Sequence, residues 1–565
     1  MHTNKKGVRL LVAICKAKGL TDIIISPGSR NAPLVIEFAR DADFTCYVVP
    51  DERSAAFVAL GMAQQTGRLT AVVCTSGTAP LNYAPALAEA YYQRIPLVAI
   101  TADRPAEWID QADGQALKQH NIFENYVRRS ITLPQEPSAD ADFWFLQRLV
   151  AETLDIALSD VKGPVHINVP LREPLYRLEE ASALSVKPST TLTISSALPE
   201  KELLCLIDSW ASCKKKMIIC GGLSPDNKIS ELIKPLLKDE SVIVLTETTS
   251  NLIAQPVINC IDRVLSTISS TEEVAFSPDL LITFGGPVIS KKIKAFIRKT
   301  KPIHHWHIDP DVFHTDTYQS LTLHIPLSPE VFLNQLVERV VSVSSTYKSE
   351  WIEKDRIAET AHQEYVKDLR WSDMKVFETI LSKIPENSDL QMGNSTPVRY
   401  TQLFKPTKQL HYFGNRGTSG IDGCVSTAAG AAIGSGNLTT LIIGDMAFFY
   451  DTNGLWHQHL SANLRIILIN NGGGGIFRII EGPSGVDELE RFFETRHSFT
   501  APHIAAAYNL NYSSAHSVEE LKEQLPLFFQ KTVSASLLEI FTPSEDNAEV
   551  LSSYFKFIAV KSHNK

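Results

Sequence analysis

Short apolar runs alternate with amphipathic segments along this chain, and this alternation restricts the possible folds more than any other feature. Between residues 20 and 103, segments with helical spacing separate four apolar runs, "TDIIISPGS", "FTCYVVPD", "LTAVVCTSG" and "IPLVAITAD". Such alternation is typical of parallel sheets with helices on both faces. The pattern returns from "MIICGG" to "HHWHIDP", and again from "HYFGNRG" to "SASLLEIFT". We therefore predict an α/β protein with three domains, each a mostly parallel sheet flanked by helices.

Two stretches of different composition separate these three blocks. Residues 178–200 are polar and contain prolines, and residues 343–372 form a charged connector with helical spacing. Such stretches are typical of domain boundaries. We predict a first α/β domain over 1–180, a central one over 195–342 and a third over 373–565. With 565 residues, of which 44% are apolar, the chain can bury three separate cores.

Charge and composition exclude several classes of function. The formal net charge of −9 argues against a general nucleic-acid binder or a protein of acidic membrane surfaces. No apolar run reaches the roughly 18 to 20 residues of a membrane span, and the N-terminus has no signal-peptide cleavage pattern. The eight cysteines form no C-x-x-C pair. We expect a cytoplasmic protein that binds no nucleic acid and does not insert into a membrane.

Polar residues follow two successive apolar runs of the third block. Gly444 and Asp445 end one run, and Asn470 and Asn471 end the next. In a parallel β-α-β unit these two ends lie side by side, where ligands of open α/β sheets bind. Helix N-terminal amides can contact phosphate, and carboxylate, amide and carbonyl oxygens suit Mg²⁺. The alternative is that these are ordinary turn residues.

The spacing of Gly-Asp and Asn-Asn resembles the cofactor signature of thiamine-diphosphate-dependent enzymes. This resemblance implies that Asp445, the side chain of Asn471 and the backbone carbonyl of Gly473 hold Mg²⁺ or Mn²⁺. Gly444 and Met446 would contact the cofactor, with Met446 standing where the signature has a third glycine. The third domain would then bind the diphosphate and the metal, and the first domain the pyrimidine ring.

Three charged residues interrupt the apolar sequence "VVPDERSAAF" at a predicted strand-to-helix junction. The family resemblance makes Glu52 the catalytic carboxylate that hydrogen-bonds N1′ of the cofactor. The alternative is a glutamate favoured by the helix dipole in a first turn. In "GNRGTSGIDG", Ile421 would be the apolar wedge beneath the bent cofactor. The roles of Asp51 and Arg53 stay open at this point.

Further motifs resemble one branch of this class, the menaquinone-pathway 2-succinyl-5-enolpyruvyl-6-hydroxy-3-cyclohexene-1-carboxylate synthases. These motifs are "SPGSRNAPL", "DERSAAFVALG", "TSGTA", "TADRP", "GNSTPVR" and "NRGTSGIDG". The resemblance implies a transferase that decarboxylates 2-oxoglutarate and adds the succinyl unit to isochorismate. It also implies a homodimer or homotetramer with active sites between subunits.

Both implied substrates are dianions, so an acidic chain must gather cations locally. The resemblance assigns the isochorismate carboxylates to Arg30 and Arg104, with further hydrogen bonds from Ser29 and Gln115. It assigns the distal carboxylate of 2-oxoglutarate to Arg399 and Arg416, with Ser395 nearby. The central block contributes Lys291 and Lys292, although "KKIK" is also typical of a solvated helix face.

Two other functions stay open from the sequence. An acetolactate-synthase-like enzyme or simple decarboxylase would use pyruvate or another monoanion and depend little on Arg30 and Arg104. A catalytically silent sensor would have no need for Glu52. The histidines of "HHWHID" are predicted to be structural, because alternation along a strand divides His304, His305 and His307 between two faces.

Overall fold

The structure, a computed structural model, describes residues 1–180, 184, 186–192, 196–252, 256–406, 409–479, 482 and 485–563. It contains three fully parallel sheets, of six, five and six strands. Helices cover these sheets, so the predicted α/β class is confirmed. Part of the predicted boundary at 178–200 lies outside the described residues, and the exact domain limits stay predictions.

The first sheet lies between residues 22 and 170. The strands of this part are β1 His2–Thr3, β2 Asp22–Ile25, β3 Thr45–Val48, β4 Thr70–Cys74, β5 Leu97–Asp103, β6 Arg129–Thr132, β7 Val165–Pro170 and β8 Leu178–Glu179. The helices are α1 Lys6–Ala17, α2 Ala32–Arg40, α3 Glu52–Thr66, α4 Ala84–Gln93 and α5 Asp140–Ala157, with 3₁₀ turns at Pro80–Tyr83, Ala106–Trp108 and Glu124–Tyr126. The sheet order is β3-β2-β4-β5-β7-β6, and β1 pairs with β8 in a separate antiparallel ribbon.

The central sheet has the order β10-β9-β11-β12-β13. Its strands are β9 Lys216–Cys220, β10 Val242–Thr246, β11 Leu280–Phe284, β12 His304–Ile308 and β13 Leu323–Ile325. The helices are α6 Glu200–Ser212, α7 Asn227–Leu236, α8 Ile261–Leu265, α9 Glu273–Phe276, α10 Lys291–Thr300 and α11 Pro329–Val337, with a 3₁₀ turn at Thr248–Ser250. The charged connector that follows forms the long helix α12, Tyr347–Lys367.

The third sheet has the order β15-β14-β16-β17-β19-β18. Its strands are β14 Asp389–Met392, β15 His411–Phe413, β16 Thr439–Gly444, β17 Leu464–Asn470, β18 Asn511–Ala515 and β19 Ser536–Phe541. The helices are α13 Asp373–Leu381, α14 Thr396–Thr401, α15 Cys424–Ser435, α16 Asp445–Tyr450, α17 Pro502–Ala507, α18 Val518–Phe528 and α19 Ser544–His563. Short 3₁₀ turns lie at Thr452–Leu455 and Gly475–Arg478, and a π-helical turn lies at Leu489–Glu494.

The central strands of the sheets are buried on both faces. Strands β4, β5 and β17 have no exposed residue, as expected for parallel strands between two helical layers. Polar side chains within these strands, such as Thr101 in β5 and Arg465 in β17, are buried and hydrogen-bonded inside the protein. Further polar groups follow the carboxyl ends of the strands, which is the edge where ligands bind in open sheets.

Helices α3 and α15 pack in very close contact and join the first sheet to the third. A Cβ atom added at Gly61 would lie 2.0 Å from the Thr427 carbonyl oxygen, and one at Gly430 would lie 2.0 Å from the Val58 carbonyl oxygen. Only glycine permits backbones to approach this closely. The starts of these helices, Glu52 and Cys424, are thereby fixed relative to each other.

Among the described helices, none is both long enough and apolar enough to cross a membrane.

Candidate active site

The carboxyl ends of β16 and β17 lie side by side, where Asp445 contacts the glycine-rich segment 471–475; we call this arrangement the acidic turn. Gly444 of β16 pairs with Ile469 of β17, which brings Asp445 beside the glycine-rich segment after Asn470. The Asp445 carboxylate is buried, and its Oδ2 accepts hydrogen bonds from the Gly472 and Gly473 amides at 2.8 and 2.9 Å. These bonds hold the backbone of the glycine turn against the carboxylate.

Glycine is required in this turn. Gly473 has a φ of 153°, and a Cβ atom there would lie 2.7 Å from the Glu494 carbonyl oxygen. Any larger residue would push the turn away from Asp445. The position of the Gly473 carbonyl, the third predicted metal ligand, therefore depends on the glycine itself.

Asn471 presents an unpaired oxygen at this turn. Its Nδ2 donates to Asp373 Oδ2 at 3.2 Å, whereas its buried Oδ1 has no hydrogen-bond partner among the described residues. A buried amide oxygen without a partner is costly unless a ligand satisfies it. A divalent metal ion such as Mg²⁺ fits this donor set, which combines amide, carboxylate and carbonyl oxygens.

Two further residues at this turn were not predicted from the sequence. Asp373, the first residue of α13, is buried, and burial raises its pKa to about 6. His497 Nε2 lies 3.4 Å from Asp445 Oδ2. Within the described residues, there is no cluster of three or more His, Cys, Asp and Glu side chains placed to hold a metal. A metal here would therefore need amide and backbone oxygens in addition to the Asp445 carboxylate.

The start of α3 lies against the segment that follows α16. Asp51 caps α3 by accepting from the Arg53 amide at 2.9 Å, and its other oxygen accepts from Asn453 Nδ2 at 2.7 Å. Arg53 donates to the Tyr450 carbonyl at 3.0 Å and lies over the Tyr450 ring. The roles that the sequence left open for Asp51 and Arg53 are thus structural.

Glu52 differs from both of its charged neighbours. Its side chain is half-buried, and within the described residues no hydrogen bond or ion pair reaches its carboxylate. Cys74 ends β4, and Tyr83 ends the 3₁₀ turn that follows it. Burial raises the pKa values of both side chains, and the negative charge of Glu52 raises them further. The carboxylate therefore lies near the end of β4 and has no partner in the part of the chain that the structure describes.

Ile421 lies in the loop before α15 and is 38% exposed. This loop follows Arg416 and ends at Gly423, whose Cβ position would overlap the Phe57 ring of α3 at 2.3 Å. An exposed isoleucine beside such a close contact is accessible to a ligand. Its predicted role as a wedge stays a prediction.

Arg30 and Arg104 lie close together at one edge of the first sheet. Arg30 is buried and donates to the Leu171 carbonyl at 3.0 Å; burial and the charge of Arg104 lower its pKa. Arg104 Nη2 donates to the Gly114 carbonyl at 2.8 Å, and its Nη1 lies 3.3 Å from Asp113. The two cations are therefore directed at one region.

The two polar residues predicted beside these arginines lie on neighbouring loops. Ser29 precedes Arg30 and is exposed. Gln115 has a φ of 55°, and a Cβ added at Gly77 would lie 3.1 Å from its Cα atom. Gln115 thus packs on the "TSGT" turn that follows β4.

Arg399, Arg416 and Ser395 form a second basic group at the end of β14. Arg399 Nη1 donates to the Ser395 carbonyl at 2.6 Å, and Arg416 Nη1 donates to Asn394 Oδ1 at 2.7 Å. Burial and the charge of Arg399 lower the pKa of Arg416. Ser395 has φ 75° and ψ −122°, a strained conformation for a residue with a side chain. Such strain is typical of functional loops.

The two predicted lysines begin α10. Lys291 is exposed, whereas Lys292 donates to Ser266 Oγ at 2.7 Å and lies 3.5 Å from the Phe555 ring centroid. Lys294, which was not predicted, lines a cavity of about 640 Å³ together with Arg416. Helical spacing alone does not indicate which lysine of "KKIK" points toward the arginines.

The histidines of β12 make hydrogen bonds of a structural kind. His305 Nε2 and His307 Nδ1 both lie 2.9 Å from Thr283 Oγ1. Burial lowers the pKa of His305 to about 4 and also lowers that of His307. Both imidazoles are therefore neutral near pH 7.

Comparisons with known proteins agree with the α/β fold described above. Residues 5–124 match the family described as "Thiamine pyrophosphate enzyme, N-terminal TPP binding domain", and residues 195–392 match "Middle domain of thiamine pyrophosphate". A crystal structure of benzoylformate decarboxylase from Polynucleobacter necessarius matches with a TM-score of 0.71, covering 96% of this chain and 99% of that chain. At 15% identity, this match shows the shared fold alone.

Curated relatives named 2-succinyl-5-enolpyruvyl-6-hydroxy-3-cyclohexene-1-carboxylate synthase match nearly the whole chain. They are 44% identical in Flavobacterium johnsoniae, 41% in Porphyromonas gingivalis and 36% in Bacteroides fragilis. The alignments cover 97, 100 and 98% of this chain and 98, 99 and 99% of the relatives. This chain therefore belongs to the 2-succinyl-5-enolpyruvyl-6-hydroxy-3-cyclohexene-1-carboxylate synthase family of thiamine-diphosphate-dependent enzymes.

Proposed function

We propose that this chain is a transferase that decarboxylates 2-oxoglutarate and adds the succinyl unit to isochorismate by 1,4-addition. The products are 2-succinyl-5-enolpyruvyl-6-hydroxy-3-cyclohexene-1-carboxylate and CO₂, made in menaquinone biosynthesis. Beyond family membership, the proposal depends on two separate arginine pairs, Arg30 with Arg104 and Arg399 with Arg416. Two dianionic substrates need two such sites, because the planar guanidinium group binds carboxylates through paired hydrogen bonds.

Residues of the third sheet would hold the cofactor and its metal. Asp445, Asn471 and the Gly473 carbonyl would bind Mg²⁺ or Mn²⁺, and Gly444 and Met446 would lie beside the diphosphate. The Oδ1 of Asn471, which has no partner in the described part of the chain, supports this assignment. Bound thiamine diphosphate supplies a nucleophilic carbon and an electron sink for the decarboxylation.

Glu52 would hold a proton between its carboxyl group and N1′ of the cofactor's pyrimidine ring. This role requires a carboxylate that no cation or donor already occupies. Glu52 meets this requirement within the described residues, whereas Asp51 and Arg53 are both engaged elsewhere. Ile421 would supply the apolar side chain that packs against the cofactor.

The substrate sites follow from the two arginine pairs. Isochorismate would contact Ser29, Arg30, Arg104 and Gln115, and 2-oxoglutarate would contact Ser395, Arg399 and Arg416, with Lys291 and Lys292 nearby. Glu173 lies 3.2 Å from Arg30 and is largely exposed, and Asp113 pairs with Arg104. A substrate carboxylate can replace these anions without leaving a buried cation unpaired.

We further propose a homodimer or homotetramer in which a second subunit completes each active site. The surface around the start of α3 supports this arrangement. Val48 ends β3 just before this helix start, Tyr450 lies against Arg53, and the two residues are 48 and 53% exposed. Exposed apolar residues beside one helix start are typical of an interface between subunits. Glu52, between Val48 and Arg53 in the sequence, has no hydrogen bond or ion pair to its carboxylate within the described residues.

We also propose a cytoplasmic location. All eight cysteines lie among the described residues and are free thiols. Free thiols are typical of a reducing compartment.

One assay tests the reaction. The protein is incubated with thiamine diphosphate, Mg²⁺ and 2-oxoglutarate, and CO₂ release is measured with and without isochorismate. We expect isochorismate to increase the release and to be consumed in equal amount. Equal or faster turnover of pyruvate would favour an acetolactate-synthase-like enzyme instead. The absence of turnover with every 2-oxo acid, despite cofactor binding, would favour a sensor.

A further inference from the structure

The segment 415–421, which we call the arginine loop, carries both Arg416 and Ile421. Two side chains from different parts of the chain hold its backbone. Asn394 Nδ2 donates to the Asn415 carbonyl at 2.7 Å and to the Gly420 carbonyl at 2.6 Å. Both ends of the loop are therefore fixed from within the third sheet.

Glu89 holds the middle of the arginine loop from the first sheet. It lies on α4, and its side chain is buried. Its Oε1 accepts from the Gly417 amide at 2.6 Å, and its Oε2 accepts from the Thr418 amide at 2.7 Å and from Thr418 Oγ1 at 2.5 Å. A carboxylate that accepts from consecutive amides makes strong, charge-assisted bonds.

The arginine loop also lies directly on the backbone of α4. A Cβ atom added at Gly417 would lie 2.7 Å from the Glu89 carbonyl oxygen and 3.0 Å from Tyr92 Cβ. Glycine is therefore needed for Glu89 to reach both amides. The contact joins residues 328 positions apart in the sequence.

The negative charge of Glu89 also acts on Arg416. It favours the charged guanidinium, whose pKa is lowered chiefly by burial. Arg416 additionally donates to Asn394 Oδ1, the same residue that fixes the loop ends. The orientation of the guanidinium therefore follows the position of the loop backbone.

We propose that Glu89 is a positioning residue for the 2-oxoglutarate site. By fixing the Gly417 and Thr418 amides, it sets the guanidinium of Arg416 where a substrate carboxylate binds, and sets Ile421 beside the cofactor. The proposal rests on the proposed function of Arg416. Isochorismate is assigned to Arg30 and Arg104, on other loops, so Glu89 should affect one substrate and not the other.

Glu89→Gln tests this role. The substitution keeps the shape of the side chain but directs an NH₂ group at an amide donor, so a buried N–H loses its acceptor. We expect the KM for 2-oxoglutarate to rise about tenfold while the KM for isochorismate stays within about twofold. Thr418→Val, which removes only the hydroxyl hydrogen bond to Glu89, should produce a smaller change in the same direction. This variant tests the same role if Glu89→Gln does not fold.

Glu37→Gln is the matched control. Glu37 is a buried helical glutamate of the same domain and accepts from the Thr3 amide at 2.5 Å, remote from the arginine loop. Its substitution should leave the ratio of the two KM values unchanged. An equal rise of both KM values in Glu89→Gln, or a change of the ratio in Glu37→Gln, would overturn the positioning role.

Hydrogen exchange of the free protein separates this inference from the proposed function. Glu89→Gln should accelerate exchange at Gly417 and Thr418 relative to wild type, whereas Glu37→Gln should not. Unchanged exchange would overturn the contact itself. If exchange is faster in Glu89→Gln but the wild-type protein does not turn over 2-oxoglutarate, the proposed function is refuted instead. The substrate site that Glu89 is proposed to position is then refuted with it.

Discussion

Asp373→Asn is expected to weaken metal binding by reversing the Asn471 amide. Asp373 Oδ2 accepts from Asn471 Nδ2 at 3.2 Å, and its Oδ1 accepts from Thr542 Oγ1 at 2.6 Å. An asparagine that keeps the Thr542 bond turns its NH₂ toward Asn471. Two donors then face each other, so the Asn471 amide flips and presents its own NH₂ to the metal.

The expected size of the effect follows from that single hydrogen bond. A buried donor left facing another donor costs about 1 to 3 kcal/mol, which is roughly 5- to 150-fold in an equilibrium constant. Loss of a group that orients a metal ligand typically reduces affinity about 10- to 100-fold. We therefore expect the Mg²⁺ affinity of Asp373→Asn to fall by one to two orders of magnitude.

The assay is an equilibrium Mg²⁺ titration at pH 8 with thiamine diphosphate at saturation, followed by protein fluorescence. Thr542→Val is the control, because it removes the other partner of Asp373 and leaves the Asn471 bond intact. Asn471→Ala should lose at least as much affinity as Asp373→Asn. The double variant should lose no more than Asn471→Ala alone, since both changes act through one ligand. Additive losses would refute the reasoning, because Asp373 would then act through its charge alone.

Three further predictions concern other parts of the molecule. Glu52→Gln should abolish rapid exchange of the cofactor C2 proton, followed by NMR; wild-type exchange in this variant would remove Glu52 from its role. Gly430→Ala, which places a Cβ 2.0 Å from the Val58 carbonyl oxygen, should destabilise the protein by about 1 to 3 kcal/mol and lower its thermal midpoint; an unchanged midpoint would show that α3 and α15 separate freely. Burial raises the pKa of Glu247 from 4.5 to about 7, so protonated Glu247 stabilises the folded protein below pH 4.5, and this stabilisation is lost as the pH rises through 7. Between pH 5 and pH 8 the free energy of unfolding, measured in urea, should therefore fall by about 2 to 3 kcal/mol less in Glu247→Gln than in the wild type. An equal fall in both proteins would contradict the assignment.

The fold class and the acidic turn could be predicted because their signals are local. Each strand and the helix after it lie within about 30 residues of sequence, and parallel strands place their ends along one edge. Asp445 and Asn471 therefore could be placed together from the spacing of Gly-Asp and Asn-Asn. The family resemblance added the roles of these residues, which spacing alone did not supply.

Contacts between distant segments could not be predicted in the same way. Asp373 lies 98 positions before Asn471, and no motif marks the first residue of a helix as the partner of an amide in another loop. Glu89 of α4 likewise meets the arginine loop across the contact between the first and third sheets, where α3 also packs on α15. Lys294, rather than a predicted lysine, lines the cavity with Arg416, because the orientation of α10 depends on the packing of the central sheet.

Mixing of inactive subunits tests the central claim most directly. Glu52→Gln and Asp445→Asn proteins should each be inactive alone. If Glu52 of one subunit completes the metal site of another, a mixed dimer contains one site with both wild-type residues. We predict that co-refolded mixtures recover isochorismate-dependent CO₂ release from 2-oxoglutarate, up to about one quarter of the wild-type rate for random pairing into dimers. The absence of any recovered activity in a mixture shown to contain mixed dimers would contradict the account.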